Sequence, residues 1–312
     1  MRSRQKLPSR GRFPRLVGRI IGSLGKGADH PHSLGVPSWS IRPGSSSSVS
    51  ACSGSGTIII LGGCAPTGQT EDCSRPASRR SRYRKYFAMS SYYTEKLSSE
   101  RLRACYELAP PRTKDYLQAE IEFVLQKTSS SMAILELGCG YGRVLRQLLQ
   151  RAHGVVGIDT SMRSLRMASE FAGRKGSLHL VAMDAAHMGF RDRTFDLTVC
   201  IQNGISAFGA DQSELFTEAV RVTRSGGRVL FSTYCERFWE ERLKWFEIQA
   251  EHGLIGEIDY HATGNGVIVC KDGFRSTTTE AESFRKLSGV LNLAPNIIEV
   301  DGSSLFCEIA VP

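Results

Sequence analysis

The stretch Glu136-Leu137-Gly138-Cys139-Gly140-Tyr141-Gly142 joins an apolar run to a helical pattern through three glycines at alternate positions. Such glycines let the backbone approach a ligand and turn sharply into a helix, whose exposed N–H groups and dipole favour a negative group nearby. Asp159 ends a second apolar run, followed by Thr160. A doubly wound fold places there a carboxylate that accepts hydrogen bonds from ribose hydroxyls. Asp184-Ala185 follows a third apolar run, and Gln202-Asn203-Gly204-Ile205-Ser206 a fourth. The chemistry these turns suit is the holding of a nucleoside-bearing ligand.

The turns need elements to aim them. Compact apolar runs at 132–137, 155–159, 178–182 and 196–202 read as buried parallel strands, and 228–234 as a fifth launched from Gly226-Gly227. Helical patterns fall between them at 143–152, at 161–172 with Thr160 or Ser161 as cap, and at 212–223. Two further helices, 99–108 and 112–126, precede the first strand, separated by Pro110-Pro111. After Tyr234 the alternation breaks. A long helix is predicted over 236–252, with Trp239, Leu243, Phe246 and Ala250 on one stripe and Phe238 and Trp245 beside it. A hairpin of 257–262 and 266–270 follows, then a strand at 274–278. A last helix, 280–291, leads to a closing hairpin of 297–300 and 305–310 across Asp301-Gly302. Strands alternating with helices require right-handed crossovers and a sheet covered on both faces. The fold class is α/β: a doubly wound, Rossmann-like, seven-stranded and mostly parallel sheet with an antiparallel last strand and an inserted helix and hairpin cap at about 236–279. No internal repeat is present.

Charge divides the chain. Residues 1–88 carry 15 Lys/Arg against three acids, a net of +12, whereas 89–312 hold 25 basic and 28 acidic residues, a net of −3. The +9 of the whole chain therefore belongs to the front, and the mildly acidic remainder lacks the basic surface expected of a nucleic-acid enzyme. The front also holds seven of the eleven prolines, the run Ser45-Ser46-Ser47-Ser48 and one short apolar run. So little apolar surface does not offset the entropy of ordering, and 1–88 reads as a disordered basic tail. Three origins stay open: a start of translation at Met89, an organellar transit peptide, or a functional tail. A lipoprotein-like signal at Ile58–Cys64 is disfavoured, because its apolar run is too short and too far from the start. Residues 89–312 read as the single folded domain.

The glycine turn resembles the E/D-x-G-x-G-x-G signature of the class I S-adenosylmethionine (SAM)-dependent methyltransferases of the small-molecule type, and the likeness extends over 132–312. Asp159, Asp184-Ala185, the strand Asp196 to Gln202 and Gly226-Gly227 match the family's later landmarks in order. The resemblance implies S-adenosyl-L-methionine as cofactor, with Glu136, Gly138, Gly140 and Gly142 at its methionine end, Asp159 and Thr160 at the ribose, Asp184 and Ala185 at the adenine, and Gln202 beside them. A dinucleotide-binding dehydrogenase is the competing reading, but its fingerprint needs a glycine or alanine where Arg143 stands.

The implied reaction is transfer of the SAM methyl group, by in-line displacement, to a small-molecule acceptor. Such a reaction needs alignment and a desolvated pocket more than a fixed catalytic group. The acceptor pocket of the fold lies at the C-terminal ends of the strands, which makes Asn203 a candidate floor residue; the local likeness is to glycine and sarcosine N-methyltransferases. Gln202 and Asn203 equally suit turn residues that satisfy their own backbone. Tyr92 and Tyr93 stand where relatives place a lid, and Trp239 where they place the substrate cap; packing is the other reading of each. Tyr260 and His261 are candidates for polar contact or a base, with a structural or solvated role the alternative. Nine scattered cysteines with no C-x-x-C suggest reduced thiols and a cytoplasmic location, or an organellar one if 1–88 is a transit peptide. No metal set, nucleic-acid partner or membrane partner is expected. A same-fold enzyme acting on protein or nucleic acid, and a non-catalytic SAM-binding protein, are the alternatives.

Overall fold

The computed structural model describes residues 57–60, 92–152, 154–173 and 177–312. Seven strands form the expected sheet: β2 (Ala133–Leu137), β3 (Gly154–Asp159), β4 (Ser177–Ala182), β5 (Phe195–Cys200), β6 (Thr223–Tyr234), β9 (Asn296–Val300) and β10 (Ser304–Ala310). Their order is β4-β3-β2-β5-β6-β10-β9, with β10 antiparallel to both neighbours. The other pairings between neighbours are parallel. An eighth strand, β1 (Thr57–Ile60), pairs parallel to β4 at the sheet edge. It lies in the stretch expected to be disordered; the rest of 1–88 is outside the described residues.

The helices are α1 (Glu100–Glu107), α2 (Pro111–Gln126), α3 (Arg143–Leu148), α4 (Met162–Phe171), α5 (Gly204–Ala207), α6 (Gln212–Val222), α7 (Trp239–Glu251) and α8 (Ala281–Val290). A one-turn π-helix, Tyr92–Lys96, precedes them. Ser161, one of the two expected caps, accepts the Ser164 N–H at 3.2 Å, and Asp211 caps α6 through Ser213 and Glu214. Satisfying these otherwise orphaned donors fixes where each helix starts, and with it the turn in front.

Alternation along each strand divides its side chains between two cores. Ile134 and Val155 pack with Val124 of α2, Leu145 and Leu148 of α3 and Leu165 of α4. Leu135, Leu137 and Val156 pack with Phe216 and Ala219 of α6 and Phe284 of α8. A third cluster, with Tyr116, Tyr234, Phe238, Trp245, Phe246 and Phe274, binds α7 and its following loops to the N-terminal helices. That is the inserted cap.

The cap departs from the expected hairpin. Residues 257–262 make no strand, only a bridge from Ile258 to Cys270. The two short strands are β7 (Ile268–Val269) and β8 (Arg275–Ser276), paired antiparallel. Asp259 diverts the chain by accepting the N–H groups of His261 and Ala262 on its own Oδ1, a side-chain turn that competes with a ladder. No helix among the described residues is long and apolar enough to cross a membrane.

Candidate active site

At the C-terminal ends of the parallel strands lies a cavity of about 840 Å3. The glycine turn forms one wall. Gly138 has a φ of +69°, and a Cβ there would run into the Phe208 ring, so both the backbone conformation and the space call for glycine. The turn is pinned to the next strand: the Cys139 N–H donates to the Ile158 carbonyl at 2.9 Å, and the Gly140 N–H to Asp159 Oδ2 at 2.9 Å. Gly142 is absent from the lining. A Cβ there would stand 3.1 Å from that of Ala168, so this glycine serves the close approach of α3 to α4.

Asp159 also accepts the Ser161 N–H on Oδ1 at 2.7 Å. Burial pushes its carboxyl up while the two backbone N–H groups hold it down. Each oxygen keeps lone-pair capacity for a further donor. Glu136, at the end of β2, is 4% exposed, and its Oε2 has no partner among the described residues. Burial raises it to about 8, the Arg143 charge lowering it and Asp159 adding to the rise. Asp184 and Ala185 lie in the lining with Thr160. The Asp184 carboxylate is already engaged, accepting from Ala186 N at 2.9 Å and meeting His187 Nδ1 at 3.0 Å; that hydrogen bond raises the His187 pKa.

The floor after β5 is strained. Gln202 and Asn203 take φ of 58° and 61°, a left-handed conformation that costs a residue with a Cβ about 1–2 kcal/mol. The Gln202 N–H donates to Glu120 Oε2 and Ser232 Oγ, both at 2.8 Å. Asn203 donates from Nδ2 to the Thr277 carbonyl at 2.8 Å and accepts Thr233 Oγ1 on Oδ1 at 2.9 Å. Its amide therefore ties the floor to β6 and the cap, although the residue lines the cavity. Gln202 differs, with a buried Nε2 that has no partner among the described residues.

Over the floor stand Tyr93, Tyr106, Tyr234, Trp245 and Phe246. Trp245 is oriented by its Nε1–H, which donates to the Cys105 carbonyl at 2.8 Å. Burial pushes the Tyr93 and Tyr106 phenols up and Tyr234 to about 12, so all three carry their protons at neutral pH. Tyr92 stays outside the lining, donating to Asp272 Oδ2 at 2.7 Å. Trp239 is also outside, near the Arg242 guanidinium. Tyr260 is 63% exposed and bonded to Glu247, and His261 is exposed beside it. The structure brings neither to the cavity: past the Ile258–Cys270 bridge the chain turns on the Asp259 side chain and leaves both at the surface.

Sequence reasoning passes over Glu120 and Arg242 and gives Arg143 no role at the site. Glu120 of α2, fully buried, accepts Ser304 Oγ at 2.8 Å as well as the floor N–H; burial raises it to about 7. Arg242 of α7, 1% exposed, donates to the Gly266 and Ser276 carbonyls and to Ser276 Oγ, with its guanidinium 4.3 Å from the Tyr234 ring centre. Arg143 lines the cavity with buried Nε and Nη2 atoms that have no partner among the described residues. Among the described residues no three His, Cys, Asp or Glu side chains gather to hold a metal ion.

The strand order, glycine turn and clasped floor meet in a segment that matches a known family. The family model described as a methyltransferase domain covers 134–227. Over this segment the chain is similar to methyltransferases. Its relatives include 2-methyl-6-phytyl-1,4-hydroquinone methyltransferase of Synechocystis sp., 27% identical over 150 residues, or 42% of this chain and 46% of the relative. Malonyl-[acyl-carrier protein] O-methyltransferase of Marinomonas sp. is 31% identical over 140 residues, or 42% and 50%. The chain thus spans about half the length of these curated relatives. Magnesium protoporphyrin IX methyltransferase from Synechocystis, solved with bound SAH, shares the fold at a TM-score of 0.50 and 14% identity, over 73% of this chain and 100% of that one. Glu120, Arg242 and the cap lie outside the matched 134–227, whereas Arg143 lies within it.

Proposed function

We propose that this protein transfers the methyl group of S-adenosyl-L-methionine to a small-molecule acceptor lying between the glycine turn and the cap. One observation carries the reading: the cavity holds buried polar atoms without partners, Glu136 Oε2 and Gln202 Nε2, beside an Asp159 carboxylate with acceptor capacity to spare. Buried polar groups are normally satisfied, so these fit a ligand with an ammonium at one end and a sugar further along. In this reading Glu136 takes the cofactor's amino group, Asp159 and Thr160 stand at its ribose, and Asp184 and Ala185 flank the base. The cofactor supplies a methyl group on a sulfonium, already activated toward displacement. The residues of the chain align and desolvate: Gln202 and Asn203 hold the floor, while Tyr93, Tyr234, Trp245 and Phe246 wall off water on the acceptor side.

The relative named for 2-methyl-6-phytyl-1,4-hydroquinone supports a small-molecule acceptor, the one named for malonyl-[acyl-carrier protein] a small acyl acceptor group, and the aromatic side chains lining the cavity suit either. We place the domain at 89–312 and the protein in the cytoplasm; the six free thiols among the described residues, five of them buried, fit a reducing compartment. The test is incubation of the full chain with methyl-labelled SAM and a small-molecule cell extract. Label transferred to a compound below about 1 kDa, the range of ligands that such pockets hold, supports the reading. Label found only on protein or RNA, or no binding of SAM at all, refutes it.

A further inference from the structure

Arg143 begins α3, one residue beyond the glycine turn. Its guanidinium lies against the Tyr106 ring, 4.9 Å from the ring centre, a flat support that fixes the plane of its donors. Among the described residues no hydrogen bond or ion pair engages it, and Nε and Nη2 are buried and without partners on the cavity wall. Two acids lie close enough for their charge to be felt, Glu136 and Glu120, and the phenols of Tyr106, Tyr116 and Tyr141 face it as well. Neither acid takes it up: Glu120 spends its oxygens on Gln202, Ser232 and Ser304, and Glu136 Oε2 is left bare. An always-charged fork with two idle donors in a desolvated wall fits a planar anion with two oxygens. A bare glutamate in the same cavity fits a cation, and an α-amino acid carries both.

We propose that Arg143 is a carboxylate receptor, its guanidinium braced on Tyr106 and its free donors turned to a carboxylate that shares the cavity with Glu136. This rests on the methyl-transfer reading, and that chemistry has two sources: the amino-acid end of the cofactor, or an acceptor that is itself a carboxylic acid. Arg143→Met separates them. Calorimetry of the full chain compares S-adenosylhomocysteine with 5′-methylthioadenosine, which keeps the adenosine and thioether but has no carboxylate. If the cofactor supplies the group, the variant binds S-adenosylhomocysteine at least about tenfold more weakly and 5′-methylthioadenosine as before. If the acceptor supplies it, both nucleosides bind as before, and the protein saturated with S-adenosylhomocysteine binds benzoate, not benzamide, in a manner the variant loses.

Undiminished 5′-methylthioadenosine binding also reports that the variant is folded. Should it fall, Arg143→Lys decides: it keeps the charge but loses the fork, and an intermediate loss on the carboxylate ligand alone supports the proposal. Equal losses on 5′-methylthioadenosine and S-adenosylhomocysteine in the lysine variant, or unchanged binding of both S-adenosylhomocysteine and benzoate in the methionine variant, overturn it. A wild-type chain that binds neither nucleoside refutes the cofactor reading itself, and the carboxylate receptor then stands or falls on benzoate alone.

Discussion

Replacing Glu136 by glutamine should remove a proton from the binding equilibrium. The carboxyl sits at about 8 in the ligand-free cavity against an ordinary 4.5, because burial disfavours its charge and the nearby Asp159 opposes it further, with Arg143 alone pulling the other way. A bound ammonium favours the ionised form. Each pH unit below about 8 then costs about 1.4 kcal/mol of binding, so wild-type affinity for S-adenosylhomocysteine should rise about a hundredfold from about pH 6 to about pH 8 and level off above. Calorimetry across that range, in two buffers of different ionisation heat, should count close to one proton released at its acid end. An amide at this position cannot ionise, so E136Q should show a nearly flat profile. The free protein moves the opposite way. A carboxyl raised in the fold stabilises it fully below 4.5, and that contribution is lost as pH rises through about 8; E136Q should escape this loss. Identical pH slopes for the two proteins, or a wild-type affinity that falls as the pH is raised, would refute the reasoning.

Three further outcomes are expected. Asp159→Ala removes the ribose acceptor and the anchor of Gly140, and should weaken S-adenosylhomocysteine by about a hundredfold in calorimetry; normal affinity would count heavily against the assignment. Gly138→Ala forces a left-handed Cβ into Phe208 and should cost about 1–2 kcal/mol in a denaturant melt, together with cofactor affinity; a melt and affinity matching the wild type would contradict the tight turn. Arg242→Met strands the Gly266 and Ser276 carbonyls and should destabilise the protein by about 2–4 kcal/mol, whereas an unchanged unfolding midpoint would show the cap to be held by its aromatic cluster alone.

The central sheet was legible because strands buried on both faces leave compact apolar runs, and because the glycine turn and Asp159 mark two strand ends without long-range information. The cap was less so. Apolar and polar residues over 257–270 suggest a hairpin, but past the single Ile258–Cys270 bridge Asp259 accepts the next N–H groups on its own side chain and the ladder goes no further. On α7 the stripe drawn through Trp239, Leu243, Phe246 and Ala250 omits the charged residue: the buried face holds Arg242 and Gln249 with Trp245 and Phe246. A charge at helical spacing reads as solvent-facing until its carbonyl partners are known, and those partners come from a turn and a short strand 24 and 34 residues away. Glu120 is hidden in the same way, since its partners lie on three other elements. Arg143 was visible, but only as an obstacle to a dinucleotide fingerprint; its idle donors emerge once Tyr106 is seen beside it.

The clasp at the floor bears on how the protein can be cut. Gln202 and Asn203 are kept in their uphill conformation by Glu120 from upstream and by Thr277 from downstream, with Ser304 of β10 steadying Glu120. None of these three belongs to 134–227, so an excised version of that segment would keep the glycine turn and Asp159 while its floor relaxed. The recognisable motif and the working pocket are therefore different lengths of the same polypeptide, and an inert fragment would say nothing about the activity of the whole.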